Sequence, residues 1–183
     1  MKKYKKVFLL LAIICTLIFM SWATVRIVKA VQFSFECKAY LKRAADANTI
    51  EMAKPELKKA IEYAEANELT EGIVSLFLKN PANDIGFWYQ NMKSAYEELE
   101  NLPEDASSLE KTNVLMKLRE SLTDNDSDGS TSVIAPDGIT IYPNNMLYFL
   151  WGMLSLLGLT VFCVSLGLKA ETVNVQKVIV KKN

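Results

Sequence analysis

The residues best suited to bind a ligand form an acidic run in the last third of the chain. Asp124, Asp126 and Asp128 alternate with small polar residues and are followed by Gly129. Oxygen ligands at alternate positions, followed by a glycine at a sharp turn, are typical of the start of a calcium-binding loop. The twelfth position of that pattern requires a bidentate glutamate, but here it is Ala135. The preferred interpretation is therefore a solvated acidic linker, and a weak calcium site is the alternative.

A second candidate site is the aromatic run Phe87, Trp88 and Tyr89. Only one side of a helix can face a core, so at least one of the three rings should point elsewhere. Packing against neighbouring helices is the ordinary role of such residues. The alternative is that an outward-facing ring contacts a partner or ligand, so these three residues are the candidate partner-binding site.

Catalytic chemistry has little support in the sequence. The chain of 183 residues contains no histidine, which removes the usual catalytic triads and most zinc sites. It also has no glycine-rich phosphate loop, no Cys-x-x-Cys pair and no nucleophile elbow. We therefore predict a protein that is not an enzyme and that needs no cofactor. The acidic central region also argues against nucleic acid binding.

Two stretches of the chain carry no charged residue, namely 7–25 and 146–168. As helices with a rise of about 1.5 Å per residue, both are long enough to cross a hydrocarbon core of about 30 Å. The ends, 1–6 and 169–183, hold eight lysines and one glutamate (net +7), whereas 26–145 holds 13 basic and 20 acidic residues (net −7). Lysine and arginine near membrane spans resist translocation. The sequence thus predicts two transmembrane helices with cytoplasmic ends and an extracytoplasmic middle region.

Three aromatic residues support the same topology. Trp22 lies at the far end of the first span, and Tyr148 and Trp151 lie at the start of the second. All three map to the outer membrane interface, where amphipathic rings are favoured. The rival interpretation of the first span is a cleaved signal peptide, but the apolar run is long and its best small-x-small cleavage site, 21–23, is poor. We favour an uncleaved anchor.

The region 26–122 has the apolar spacing of a helical bundle, so the fold class is predicted to be mainly all-α. The first span should continue as a helix to Ala47, and the next helix should become regular only near Pro55, because proline disfavours helix before it. A short buried helix is expected at 73–79, with a strand as the alternative. Two further helices are predicted from an Asp84 N-cap to Asn101 and from the capping box Ser107–Glu110 to Leu122.

The segment 123–145 is predicted to be an acidic linker followed by a small β-hairpin or an extended segment. The hairpin would pair 133–135 with 139–142 around the turn sequence 136–138. For the tail, 169–183, we expect a basic segment attracted to anionic lipid, with a strand that pairs with a partner's sheet edge as the alternative.

The three cysteines indicate that the middle region is held by packing alone. Cys15 and Cys163 lie inside the predicted spans, where a thiol behaves as a small apolar group. Cys37 is the only cysteine in the middle region, so it has no partner there for a disulfide. A dimer linked through Cys37 is the alternative, and an impermeant thiol reagent is expected to label this residue in intact cells.

Four stretches resemble a group of uncharacterised bacterial membrane proteins, which have two spans around a helical extracytoplasmic domain. They are Asp84–Tyr89, Leu109–Glu120, Pro136–Ile139 and Tyr142–Asn145. The resemblance covers most of the chain and implies the same architecture in a bacterial cell membrane. It implies no activity and no site residues.

The functional prediction is a membrane-anchored accessory or scaffold protein. Its partners would be the lipid bilayer and another membrane or envelope protein, or a second copy of itself. The alternative is a small-ligand sensor that signals through its spans to a separate partner. A scaffold requires an exposed apolar or aromatic patch, whereas a sensor requires a pocket lined by a few converging polar groups.

Overall fold

The computed structural model describes the backbone of residues 2–77, 79–125 and 129–182. Side chains are described within these ranges except at 2–6, 8, 9, 165 and 167–182. The chain is mostly helical with one small antiparallel sheet, as the sequence predicts. Its contacts divide it into two units: Met1–Ile27 with Met146–Asn183, and Val28–Asn145.

The helices, strands and short helical turns follow one another with short connections. The α-helices are α1 (Lys2–Phe33), α2 (Ala39–Ala45), α3 (Ile50–Ala66), α4 (Ile85–Glu100), α5 (Ser108–Leu122) and α6 (Asn145–Lys182). The strands are β1 (Thr123–Asn125) and β2 (Thr131–Val133). A π-helical turn, Ser34–Lys38, links α1 to α2, and 3-10 turns cover Pro81–Asn83 and Ile139–Ile141.

The first unit consists of two helices that are long and apolar enough to cross a membrane. Most of the large apolar side chains described in them are exposed, including Leu10, Leu17, Leu147, Leu154 and Val161. They therefore do not form the core of a soluble domain, whose helices are mostly buried. Because α6 remains helical to Lys182, the alternative of a strand in the tail is wrong for the described residues 169–182.

The second unit packs α2, α3, α4 and α5 around one apolar core. Its largest fully buried side chains are Cys37, Leu41, Leu57, Ile85, Met92 and Ile139. The π-helical turn continues the helical backbone from α1 into α2, since both of its flanking residues have α-helical backbone angles. This continuous helical segment ends at Ala45, close to the predicted end at Ala47.

Helix α3 is regular from its first residue, so the prediction that it becomes regular only near Pro55 is wrong. Thr49 caps the helix, because its Oγ1 accepts a hydrogen bond from the backbone N–H of Met52 at 3.3 Å. The backbone N–H of Ala53 also donates to the carbonyl of Thr49, at 3.0 Å. Pro55 removes only the bond that its own N–H would donate. The cap holds the first turn despite this loss.

The helix predicted at 73–79 is wrong for the described residues of that segment. Ile73 instead forms an isolated antiparallel bridge with Asp84. The backbone N–H of Val74 donates to the carbonyl of Asn83 at 3.0 Å, and that of Ile85 donates to the carbonyl of Gly72 at 2.9 Å. The segment therefore satisfies some of its backbone hydrogen-bonding groups by pairing with the residues that precede α4. A local sequence pattern could not reveal this pairing.

The β-hairpin exists, but the strands predicted for it are wrong. Thr123 pairs with Val133 and Asp124 with Ser132, so the first residue of the acidic run lies in β1. Gly138 then adopts a left-handed backbone with φ of 82° and leads into the second 3-10 turn. Ile139 and Ile141 alternate as strand residues would, yet both are buried in that turn.

Candidate functional site

The aromatic run lies in the first turns of α4, where two of its rings are buried and one is exposed. Asp84 fixes the start of the helix, since its Oδ1 accepts a hydrogen bond from the backbone N–H of Phe87 at 2.9 Å. Trp88 and Tyr89 are buried, whereas Phe87 is 65% exposed. The prediction that one ring points away from the core is confirmed, and that ring is Phe87.

Trp88 and Tyr89 have structural roles in the core. The indole Nε1 of Trp88 donates to the carbonyl of Ile134 at 2.9 Å. The hydroxyl of Tyr89 donates to Oε1 of Glu65 at 2.6 Å. Burial, together with this hydrogen bond, raises the pKa of Tyr89 to about 12. Tyr89 therefore remains a neutral donor at physiological pH and links α4 to α3.

An open cavity of about 420 Å³ lies beside Phe87. We call it the Phe87 groove and define it by Pro81, Phe87, Trp88, Met92, Leu122 and Ile134, which all line it. Four separate parts of the chain contribute: the 3-10 turn before α4, α4 itself, the end of α5 and the residue after β2. Among its large hydrophobic side chains, Phe87 and Ile134 are the exposed ones, at 65% and 44%.

The polar side chains that line the Phe87 groove are Asp84, Asn91 and Ser121. Asp84 is engaged as the cap of α4. The hydroxyl of Ser121 donates to the carbonyl of Leu118 at 2.8 Å. The groove therefore offers mainly apolar surface, which meets the criterion for a scaffold better than the criterion for a sensor.

Trp88→Phe should destabilise the protein by about 1 kcal/mol or more. The substitution keeps an aromatic ring but leaves the Ile134 carbonyl without its donor, and loss of a partly buried hydrogen bond has this size. The measurement is the urea unfolding midpoint of the full chain in detergent. The neighbouring Phe87→Ser, at an exposed position, should change the free energy of unfolding by no more than about 0.5 kcal/mol. Equal losses in the two variants would contradict this assignment.

The calcium candidates are only partly described. Asp124 lies in β1, and its Oδ1 accepts a hydrogen bond from the backbone N–H of Asn125 at 2.8 Å. Asp126 and Asp128 lie outside the described residues. Among the residues that are described, no group of three acidic, cysteine or histidine side chains could hold a metal ion. The solvated acidic linker therefore stays the prediction for this run, and the weak calcium site stays its alternative.

The three aromatic residues predicted at the membrane interface lie near one another in the first unit. The indole Nε1 of Trp22 donates to the carbonyl of Tyr148 at 2.9 Å, and the rings of Tyr148 and Trp151 are 6.0 Å apart. The guanidinium of Arg26 lies 5.3 Å from the centroid of the Trp22 ring. Trp22 thus also joins α1 to α6, a role that no local sequence pattern indicates.

Small residues spaced three apart let α1 and α6 approach closely. A Cβ added at Gly152 would lie 2.9 Å from Cζ2 of Trp22, and one added at Gly158 would lie 2.9 Å from Sγ of Cys15. Between the two glycines, Ser155 is buried and its hydroxyl donates to the carbonyl of Trp151. Each glycine therefore makes room for one larger side chain of α1.

The expectation that a thiol reagent would label Cys37 is wrong for the folded protein. Cys37 has no exposed surface, and its Sγ lies 4.0 Å from the carbonyl oxygen of Ala60. A buried thiol is accessible neither to an impermeant reagent nor to a second chain. The alternative of a dimer linked through Cys37 is disfavoured for the same reason.

No family model, no curated protein and no solved structure matches this chain.

Proposed function

We propose that the chain is a membrane-anchored accessory or scaffold protein of a bacterial cell membrane. Both ends would be cytoplasmic, and 26–145 would be extracytoplasmic. The second unit would bind another envelope or membrane protein through the Phe87 groove, without catalysing a reaction. A second copy of the chain is one such partner.

The charge pattern and the exposure of the apolar helices support the membrane placement. Most of the large apolar side chains described in the stretches 7–25 and 146–168 are exposed, and in water each would cost free energy that burial in hydrocarbon removes. The lysine-rich ends and the acidic middle region favour the proposed orientation.

The observation that carries the binding proposal is the exposure of Phe87 beside an apolar cavity. A phenylalanine that is 65% exposed gains free energy when a partner covers it, and aromatic side chains at apolar pockets are typical anchors of protein interfaces. The groove next to it, about 420 Å³ in volume, has room for apolar side chains of that partner. Phe87 and the groove would thus form one complementary surface.

Site-specific photocrosslinking in intact cells tests the proposal. A benzophenone amino acid at position 87 should give one discrete adduct with a membrane or envelope protein, or with a second copy of the chain. The matched control is position 109, because Leu109 is also apolar and 70% exposed but does not line the groove. Equal crosslinking at both positions, or none at position 87, would count against the proposal.

The cavity volume favours a small-ligand sensor as the second candidate function. A volume of about 420 Å³ lies within the range of about 300–1,000 Å³ that is common for ligand pockets. A sensor would retain a small molecule through purification, and native mass spectrometry would detect it as a bound mass. It would also give no protein adduct from position 87.

A further inference from the structure

A second cavity, of about 290 Å³, lies in the unit Val28–Asn145 and differs from the Phe87 groove in being polar. Its walls come from the end of α1, the C-terminal end of α3 and the segment before α6. We call it the Lys29–Glu68 pocket and define it by Lys29, Gln32, Tyr63, Asn67, Glu68 and Tyr142, which all line it.

The pocket presents one cation and one anion that form no ion pair with any described residue. Of the residues that the structure describes, only Lys29 and Glu68 add a charged side chain to the lining. The other polar lining groups are neutral amides and hydroxyls. A ligand with one negative and one positive group would therefore match the charges of the pocket.

The backbone of Glu68 is strained in a way that points to a role for its side chain. Glu68 has a φ of 56° in the left-handed region. It follows the end of α3, where the N–H of Leu69 donates to the carbonyl of Ala64 at 2.8 Å. Glycine is the usual residue at this position of such a helix end. A side chain kept there despite strain suggests function, and the negative end of the α3 helix dipole adds to its attraction for a cation.

Chain connectivity keeps the pocket close to the ends of both charge-free stretches. Lys29 is four residues beyond Val25, and Asn144, which also lines the pocket, is two residues before Met146. Because α1 is helical to Phe33, Lys29 lies about 6 Å along the helix from Val25. Consecutive Cα atoms are about 3.8 Å apart, so Asn144 lies within about 8 Å of Met146. In a bilayer this is the depth of lipid headgroups. This step rests on the membrane placement proposed above.

We propose that the Lys29–Glu68 pocket binds the zwitterionic headgroup of a phosphoethanolamine lipid. Lys29 pairs with the phosphate, and the carboxylate of Glu68 accepts hydrogen bonds from the ammonium group. A phosphoglycerol headgroup lacks a cation for Glu68. A phosphocholine headgroup has a cation but no N–H to donate. The pocket should therefore discriminate against both headgroups.

Thermal melting of the purified full chain in detergent micelles, with short-chain lipids added, tests this proposal. Dihexanoyl phosphatidylethanolamine should raise Tm in a saturable manner, and more than the matching phosphatidylglycerol or phosphatidylcholine. Lys29→Gln and Glu68→Gln should each weaken the apparent affinity about ten-fold or more, as expected for loss of a charged hydrogen-bonding partner. The control variants are Lys58→Gln and Glu62→Gln, because that exposed pair does not line the pocket and its loss should leave the affinity unchanged.

Glu68→Gly separates binding from folding, since glycine suits the left-handed backbone at this position. This variant should keep or raise the Tm of the unliganded protein and still lose affinity for the lipid. Equal affinity for the three lipids, or unchanged affinity in the Lys29 and Glu68 variants, would overturn the proposal. Inorganic phosphate binding as tightly as the lipid would also overturn it, because the site would then be a free-anion site.

The same experiment distinguishes failure of this proposal from failure of the proposed function. Short-chain lipids in micelles report on the pocket alone and require neither the bilayer placement nor a protein partner. Phe87→Ser, which alters the Phe87 groove, should leave the lipid affinity unchanged. A change in lipid affinity in that variant would contradict the independence of the two sites.

Discussion

Gly158→Cys should allow a disulfide bond to form between the two long helices. A Cβ built at position 158 lies 3.6 Å from the Cβ of Cys15. Disulfide bonds join Cβ atoms that are about 3.5–4.5 Å apart. Mild oxidation with copper phenanthroline should therefore convert most of the variant to a form with an intramolecular disulfide to Cys15. The unsubstituted chain has no thiol at position 158 and should form none of this disulfide.

Thiol counting after denaturation measures this crosslink. The chain has three free cysteines, so the variant has one more, and the disulfide consumes two of them. Denatured, oxidised Gly158→Cys should react with only two equivalents of maleimide. The matched control is Val161→Cys, whose position on the same helix is 63% exposed and should leave all the thiols free. Four reactive thiols in oxidised Gly158→Cys would contradict the packing of α1 against α6.

Helix ends could be predicted from the sequence wherever a local side chain determines them. Asp84 caps α4 through the backbone N–H of Phe87. Ser107 and Glu110 form the predicted capping box at the start of α5. Both interactions join residues three apart, so the pattern that specifies them lies within one turn. The sequence contained all the information that these boundaries require.

Elements that depend on distant partners could not be predicted in the same way. Ile73 and Val74 pair with the residues that immediately precede α4 rather than with their own neighbours. The alternation of Ile139 and Ile141 indicated a strand, but burial in the core selected a 3-10 turn. In both segments the local pattern fitted more than one structure, and tertiary contacts determined the outcome.

The candidate sites were predictable to different degrees. The sequence identified the aromatic run, and helical periodicity required one ring to face outward, but it could not show that Ile134 and Leu122 form a wall beside Phe87. The Lys29–Glu68 pocket was missed because three distant segments build it. Its one local signal was a glutamate just beyond a helix end, where glycine is usual.

The second prediction with a large expected effect concerns the side of the membrane on which the second unit lies. This extracytoplasmic placement is the central claim of the proposed function. Cys37 cannot report on it, because this residue is fully buried. Asn113 is exposed on α5, so Asn113→Cys provides an accessible thiol without disturbing the core. The unsubstituted chain is the matched control, since its remaining cysteines, Cys15 and Cys163, lie in the predicted spans.

Labelling of spheroplasts with a membrane-impermeant maleimide is the most direct test of this claim. We expect Asn113→Cys to be labelled in intact spheroplasts to the same extent as after lysis, because the acidic middle region would be extracytoplasmic. Asn183→Cys, at the basic end of the chain, should be labelled only after permeabilisation. Labelling of position 113 only after lysis, or of position 183 in intact spheroplasts, would contradict the proposed topology.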